Sequence, residues 1–196
     1  MIKYALGLVF CTMLTYSSFA EEKIYRNKLN TCVPTKSAMN NYEPEKFQPS
    51  NNLLHKAGAM ELYCGEKILL KGKVLDMNCV PVSDAKVYLW QVGCDGKYPY
   101  KPMRKKINHD EINLESHSSF QGSGMATTNN KGEFQFITIR PPAGHAINAR
   151  VEHMQLGALQ TAFAPPREDD CGCGDSRSDI YDFTIVMDKA DLHRRY

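Results

Sequence analysis

The 196-residue sequence has little net charge, a single tryptophan and no long apolar run after its first twenty residues. Its 24 lysines and arginines nearly balance 22 aspartates and glutamates, so charge gives no argument for nucleic-acid binding. A membrane span needs about 20 apolar residues, and none is expected in the mature chain. Nucleophile elbows, phosphate-binding loops and zinc-protease motifs are also absent, and we expect none of those enzyme classes.

The first twenty residues are typical of a secretory signal peptide. Lys3 precedes an apolar stretch at residues 4–14, which is too short for a membrane anchor, and small residues stand at Ser18 and Ala20. We predict cleavage after Ala20 and secretion across the inner membrane. The mature protein would be periplasmic if it comes from a Gram-negative bacterium.

Cleavage would leave an even number of cysteines, which in an exported chain predicts disulfides. The remaining cysteines are Cys32, Cys64, Cys79, Cys94, Cys171 and Cys173. The sequence does not choose among the possible pairings. An alternative for the Cys-Gly-Cys segment at 171–173 is a clamp for a soft metal such as zinc or copper(I), and both interpretations stay open.

Residues 21–66 are polar, contain several prolines and lack helical or strand periodicity. This pattern predicts an extended N-terminal arm, with a short helix near Leu53–Met60. From residue 67 onward, short stretches of alternating apolar and polar residues are separated by turn signals, which predicts strands. The predicted strands cover residues 68–74, 86–91, 124–127, 134–138, 150–155, 159–163 and 181–187.

The turn at Asn129–Gly132 has the composition of a hairpin turn. No long amphipathic helix interrupts the strands, and several short strands at turn-marked intervals indicate a sandwich or barrel. We therefore predict an all-β fold, an antiparallel β-sandwich over residues 67–196 with the arm lying over it.

One block of the sequence resembles the core of the intradiol ring-cleavage dioxygenases. It runs from Leu70 to Trp90-Gln91 and ends at Gly96-Lys97-Tyr98. The segments 127–141 and 182–187 are similar to that family's next hairpin and closing strand. Non-enzymatic transthyretin-like and carboxypeptidase-regulatory-like sandwiches share part of the block, but its end favours the dioxygenases. The resemblance implies cleavage of a catechol-like ring with O2.

The resemblance also implies Fe(3+) held by two tyrosines and two histidines, because a hard cation favours anionic oxygen donors. Tyr98 matches the first ligand tyrosine, and His145 stands where the family has the second. The family's R-x-x-H-x-H pattern is best matched from Arg150 to Gln155. There Arg150 would stabilise charge on the substrate, His153 would be the first histidine ligand, and Gln155 would replace the second.

Because two of the four ligand positions depart from the family, alternatives remain. These four predicted ligands fit a retuned iron site, a site for another metal or a decayed site. One competing function is a non-catalytic β-sandwich module of the cell envelope, and another is a metal-binding protein using Cys171 and Cys173. His109 and His117 are weaker candidates in an acidic loop. The oligomeric state, a homo-oligomer included, stays open.

Overall fold

The computed structural model describes residues 31–56, 58–59, 64–114, 119–165 and 179–188. The predicted signal peptide, His117, Cys171 and Cys173 lie outside these residues. In chain order the described strands are β1 (Lys67–Asp76), β2 (Lys86–Trp90), β3 (Ser123–Thr127), β4 (Glu133–Ile139), β5 (Ile147–His153), β6 (Gly157–Phe163) and β7 (Ile180–Met187). A short 3-10 helix, His109–Glu111, lies between β2 and β3. No helix in the described ranges is long and apolar enough to cross a membrane.

The strands form two sheets, which confirms the predicted all-β sandwich. One sheet has the order β4-β1-β7 and the other β3-β2-β5-β6. All pairs in the second sheet are antiparallel, as is β1 with β4. The pair β1–β7 is parallel, so β7 runs in the same direction as β1.

The core lies between the sheets and is built from alternate residues of each strand. In β1, Ile68, Leu70 and Val74 are fully buried. Gly72 belongs to the same row, and a Cβ atom there would lie 2.1 Å from the Cζ atom of Phe134. The Phe134 ring thus packs directly on the β1 backbone, and only glycine leaves room for it.

The turn at 129–132 does not close a hairpin, and that prediction was wrong. Its local chemistry is as expected, since the Asn129 side chain accepts bonds from the Lys131 and Glu133 amides at 2.9 Å. However, β3 and β4 belong to different sheets. The buried Thr128 hydroxyl donates to the Val82 carbonyl and holds the chain as it crosses. Turn residues fix a local bend and do not specify which strand the chain pairs with next.

The arm, residues 31–56, fastens the side of the sandwich where β6 and β7 meet. The Thr35 amide donates to the Val186 carbonyl of β7 at 3.1 Å, and the Ala38 amide donates to the Gln160 carbonyl of β6 at 2.9 Å. The arm therefore supplies hydrogen-bond partners to edge strands of both sheets, which otherwise present unpaired backbone groups.

The same arm then fastens the opposite side, between β3 and β4. The Leu53 amide donates to the Ile137 carbonyl at 2.8 Å, and the Met125 amide donates to the Ser50 carbonyl at 2.9 Å. The helix predicted near Leu53–Met60 is not formed at residues 53–56, and residues 57 and 60 are outside the described ranges. Backbone bonding to the sheets replaces the helical bonds there.

Two disulfides are present in the described residues, which confirms the prediction for four of the six cysteines. Cys32 pairs with Cys79 and Cys64 with Cys94. The first bond ties the start of the described arm to the turn after β1. The second ties the segment before β1 to the loop after β2.

Candidate functional site

The outer face of the four-stranded sheet, turned away from the core, carries aromatic and polar side chains. Strand side chains alternate between faces, so Tyr88, Trp90, Asn148 and Arg150 point outward. In the register Tyr88 lies opposite Arg150 and Trp90 opposite Asn148. The arm and the loop after β2 complete a group that we call the outer-face cluster. Its members are Asn40, Tyr42, Glu43, Phe47, Tyr88, Trp90, Tyr98, Tyr100, Asn148 and Arg150.

Tyr98 is 6% exposed, and two carboxamides meet its hydroxyl group. Asn40 donates to the hydroxyl oxygen at 3.1 Å, and the Asn148 side chain also hydrogen-bonds it. The indole N–H of Trp90 donates to the Asn40 Oδ1 at 3.1 Å, which turns the Asn40 amino group toward Tyr98. Asn148 in turn donates to the Trp90 carbonyl at 3.3 Å. These bonds form one network around the phenol.

Burial raises the pKa of Tyr98 above the ordinary tyrosine value, although the bonds from Asn40 and Asn148 lower it in part. A low-dielectric environment disfavours the phenolate, whereas donors to the oxygen favour it, and here burial is the larger effect. Tyr98 is therefore a neutral phenol at neutral pH.

Aromatic rings form a continuous wall around this network. Tyr42 stacks on Tyr98 with ring centroids 4.7 Å apart and planes 10° apart. Phe47 lies 4.9 Å from the Tyr88 ring and 5.9 Å from the Trp90 ring. Such offset and edge contacts each add to the free energy gained by burying the rings. The wall joins the arm to β2 and to the loop that follows it.

Arg150 is the cation of the cluster. Its Nη1 atom is 2.7 Å from Glu152 Oε1, and its Nη2 atom is 3.0 Å from Glu43 Oε1. Its guanidinium carbon lies 4.5 Å from the centroid of the Tyr88 ring, a cation–π distance. Burial raises the pKa of Glu43, and the charge of Arg150 opposes that rise. The guanidinium thus stands between two carboxylates and an aromatic face.

The structure brings Tyr98 and Arg150 into one cluster, but it places His153 and Gln155 elsewhere. His153 ends β5 five residues after Asn148 (153 − 148), about 17 Å along the strand. It also has the opposite parity to Arg150, so the two side chains leave opposite faces of the sheet. Gln155 is exposed in the turn between β5 and β6, where its backbone amide donates to the His153 ring at 3.4 Å.

His145 is exposed in the turn before β5. A Cβ atom on Gly96 would lie 3.2 Å from its Nε2 atom, so the imidazole covers the turn that precedes Tyr98. His109 is exposed on the 3-10 helix. Neither imidazole has a described contact with the Tyr98 hydroxyl.

The donors around Tyr98 do not fit the ferric centre that the sequence resemblance implies. The groups meeting its hydroxyl are carboxamide N–H groups, which donate hydrogen bonds and carry no negative charge for a hard cation. Among the described residues, no group of three or more histidine, cysteine, aspartate or glutamate side chains is arranged to hold a metal ion. We therefore assign no step of chemistry through iron.

Sequence reasoning missed Asn148, Asn40 and Tyr42. Asn148 stands two residues before Arg150, and the period of a strand places both on one face. The sequence could therefore have predicted Asn148 beside Arg150. Asn40 and Tyr42 lie in the arm, which has no periodicity from which to predict a contact.

The comparisons with known proteins agree with the two-sheet architecture. The dioxygenase domain of a carbohydrate-binding fusion protein from Streptomyces sp. SirexAA-E has a TM-score of 0.57 at 18% identity, covering 80% of this chain and 99% of that domain. An intradiol ring-cleavage dioxygenase from Tetranychus urticae has a TM-score of 0.57 at 17% identity, covering 83% and 97%. These similarities show a shared fold.

The family itself is shown by sequence. The model of the family described as Dioxygenase matches residues 41–162. A Rickettsia felis protein named "Putative dioxygenase" is 50% identical over 159 residues, 78% of this chain and 76% of that protein. A Rickettsia bellii protein of the same name is 43% identical over 203 residues, covering 95% and 98%. The chain therefore belongs to the dioxygenase family.

Proposed function

We propose that this dioxygenase-family protein is exported and binds a catechol-like aromatic ring at the outer-face cluster, without a four-ligand iron centre. The observation that carries the proposal is the network around Tyr98. Carboxamides from Asn40 and Asn148 bond the phenol oxygen that would otherwise face a cation. The aromatic wall and Arg150 stand beside it and offer contacts to a planar ring.

The position for such a ring is marked by Tyr42. Its ring is half-buried and stacks nearly parallel on Tyr98, and it belongs to the arm rather than to the sheet. A ligand ring of similar size would stack on Tyr98 in the same way after a local shift of the arm. The neighbouring Arg150 would then contact the electron-rich face of a hydroxylated ring.

An open groove of about 1200 Å³ lies elsewhere, between β3, β4 and residues 49–51 of the arm. Its rim carries charges of both signs, among them Lys71, Lys73, Glu133 and Asp182. Its aromatic lining is Phe134 and Phe183, whose ring centroids are 5.4 Å apart. Neither ring carries a polar group that could orient a hydroxylated ligand. Size therefore favours the groove as the ligand-binding site, but the chemistry of the lining favours the outer-face cluster.

Trp90 provides the test, because it is the single tryptophan and is fully buried within the cluster. Titration of the purified mature protein with catechol should give a saturable change in tryptophan fluorescence and matching heat in calorimetry. Arg150→Ala should weaken binding, whereas Lys71→Ala in the distant groove should leave it unchanged. If wild-type protein gives neither heat nor a fluorescence change at millimolar catechol, the proposal fails.

The second candidate function is intradiol cleavage of a catechol-like ring with O2 at Fe(3+). It is favoured by membership of the family and by the presence of Tyr98 and Arg150 in one cluster. Protein reconstituted with ferric iron would have to retain stoichiometric metal, show a visible phenolate-to-iron band that Tyr98→Phe removes, and consume O2 with catechol. That combination of results would replace the first proposal. Protein that stays colourless and free of iron would support the first proposal.

Export is supported by the two disulfides, since such bonds persist in oxidising compartments. When the full chain is expressed in a Gram-negative host, we expect it in the periplasmic fraction with its N-terminus at Glu21. A thiol titration of that protein would show whether Cys171 and Cys173 are also oxidised. Recovery of the uncleaved chain from the cytoplasm would contradict export.

A further inference from the structure

Three buried polar atoms of the described residues have no hydrogen-bond partner, and all three belong to the outer-face cluster. They are Glu43 Oε1, the Tyr100 hydroxyl and Arg150 Nε. A buried polar group without a partner costs about 1–3 kcal/mol, and folded proteins contain few of them. Their concentration at one place, rather than scattered through the sandwich, indicates a site that is completed by a bound group.

The three side chains come from different parts of the chain and meet on one face of the sheet. Glu43 lies in the arm, Tyr100 in the loop after β2, and Arg150 in β5. Glu43 Oε1 is 3.0 Å from Arg150 Nη2, an ion pair without hydrogen-bond geometry. Burial raises the pKa of Tyr100 well above the ordinary value, and the nearby charge of Glu43 adds to that rise. Its hydroxyl is therefore neutral, and it lies near enough to the Glu43 carboxylate for that charge to act on it.

The chemistry of the three atoms defines the group that would satisfy them. Arg150 Nε only donates, an ionised Glu43 oxygen only accepts, and the Tyr100 hydroxyl does both. A ligand hydroxyl fits this set, because it donates one hydrogen bond and accepts two. A methoxy group lacks the donor, and an ammonium group lacks the acceptors.

The charges around the site favour a neutral group. Arg150 is already flanked by Glu43 and Glu152, and Arg104 is the other cation that acts on Glu43. A ligand carboxylate could reach Arg150 only by coming close to the carboxylates of Glu43 and Glu152. Like charges at such distances disfavour binding.

We propose that Glu43, Tyr100 and Arg150 form a polar subsite that binds a neutral hydroxyl group of the aromatic ligand. This rests on the proposed function, and it adds that hydroxylated rings are bound without help from a metal and in preference to carboxylated ones. Tyr98 stacks on the ring, and the subsite recognises its substituent.

Calorimetry with three probes tests the subsite, using catechol, 1,2-dimethoxybenzene and 3,4-dihydroxybenzoate. Wild-type protein should bind catechol more tightly than either of the others. Tyr100→Phe removes only the hydroxyl, and loss of one hydrogen bond should weaken catechol binding by about 2- to 12-fold. The same variant should bind 1,2-dimethoxybenzene unchanged. Tyr181→Phe on β7, outside the cluster, is the matched control and should bind all three as wild type does.

The melting temperature of ligand-free protein gives a second readout. If the Tyr100 hydroxyl gains a hydrogen-bond partner only when a ligand binds, Tyr100→Phe should keep or raise the melting temperature, because it removes an unpartnered buried group. A lower melting temperature together with unchanged catechol affinity would make the hydroxyl structural and overturn the subsite.

The two proposals fail in different ways. Absence of catechol binding to wild-type protein would end the proposed function. Catechol binding that Tyr100→Phe leaves unchanged, or equally tight binding of 3,4-dihydroxybenzoate, would overturn the subsite alone.

Discussion

The two faces of the four-stranded sheet are built from alternate residues of the same strands, and they differ in chemistry. On the inner face Val87, Leu89 and Val151 are fully buried among aliphatic neighbours. On the outer face Tyr88 and Arg150 present an aromatic ring and a charge. The inner face needs only apolar volume to pack against the other sheet. The outer face carries specific polar groups that packing does not require.

What covers each face explains the difference. The inner face is covered by a second sheet that is itself a stable hydrogen-bonded unit. The outer face is covered by an arm without regular secondary structure, which is held by a disulfide, scattered backbone bonds and side-chain contacts. Stability should therefore depend mainly on inner residues, and ligand chemistry mainly on outer residues and the arm.

The largest effect is expected from Leu89→Ala on the inner face. Removing a fully buried leucine loses transfer free energy and leaves a cavity, so unfolding should become easier by about 2–5 kcal/mol. Urea denaturation measures the change. Lys86→Ala, exposed on the same strand, should stay within about 0.5 kcal/mol. A loss below about 1 kcal/mol for Leu89→Ala would mean that the inner face does not dominate stability.

Removal of the Cys32–Cys79 disulfide, by substituting both cysteines with serine, should destabilise the protein by about 2–4 kcal/mol. Because this bond anchors the arm, exchange of backbone amides in residues 35–47 should accelerate more than exchange in β1. Hydrogen-exchange mass spectrometry compares the two regions. Equal acceleration in both would show that the arm and the sandwich open as one unit.

Asn148→Ala should lower the free energy of unfolding by about 1–3 kcal/mol, because it removes the buried hydrogen bond to the Trp90 carbonyl and one of the two hydrogen bonds to the Tyr98 hydroxyl. It should also raise the pKa of Tyr98 further, since that hydrogen bond lowers it. Spectrophotometric titration of the tyrosines measures this pKa, with Tyr98→Phe as the reference that lacks the phenol. Asn51→Ala removes an exposed carboxamide and serves as control. An unchanged Tyr98 titration would contradict the network.

The smallest effect concerns Glu43, whose pKa is raised in the folded protein above 4.5 by burial. Its contribution to stability is fully present below that value and is lost as pH rises through the folded pKa. The free energy of unfolding of wild type minus that of Glu43→Gln should therefore fall as pH rises from 4 toward neutrality. A difference that grows over this range would mean that attraction to Arg150 outweighs burial.

Most of the fold was predictable because burial on one side of a strand leaves a period of two in the sequence. Phe134, Phe136 and Thr138 were expected on one face of β4, and all three are buried. The pairing of strands was not predictable at residues 129–132, where the turn chemistry fits a hairpin but the chain crosses between sheets. Local turn signals carry no information about distant partners.

The site was predictable only in part. Tyr98 and Arg150, which the motifs predicted, lie together in the outer-face cluster. The spacing pattern that predicted His153 did not take account of strand alternation, which places its side chain on the other face of the sheet. Glu43 and Tyr100 meet Arg150 through contacts between segments far apart in sequence. No local pattern encodes such contacts, and they become visible only once the arm is placed.

The arm's distant partners also constrain the order of assembly. The Val186 amide donates to the Thr35 side chain across 151 positions of the sequence, and the Thr161 hydroxyl donates to the Lys36 carbonyl across 125. Contacts so far apart must await synthesis of nearly the whole chain, and closing such long loops slows folding. Residues 35–40 thus precede their partners in β6 and β7 by more than a hundred positions, and we expect this part of the arm to dock late in folding.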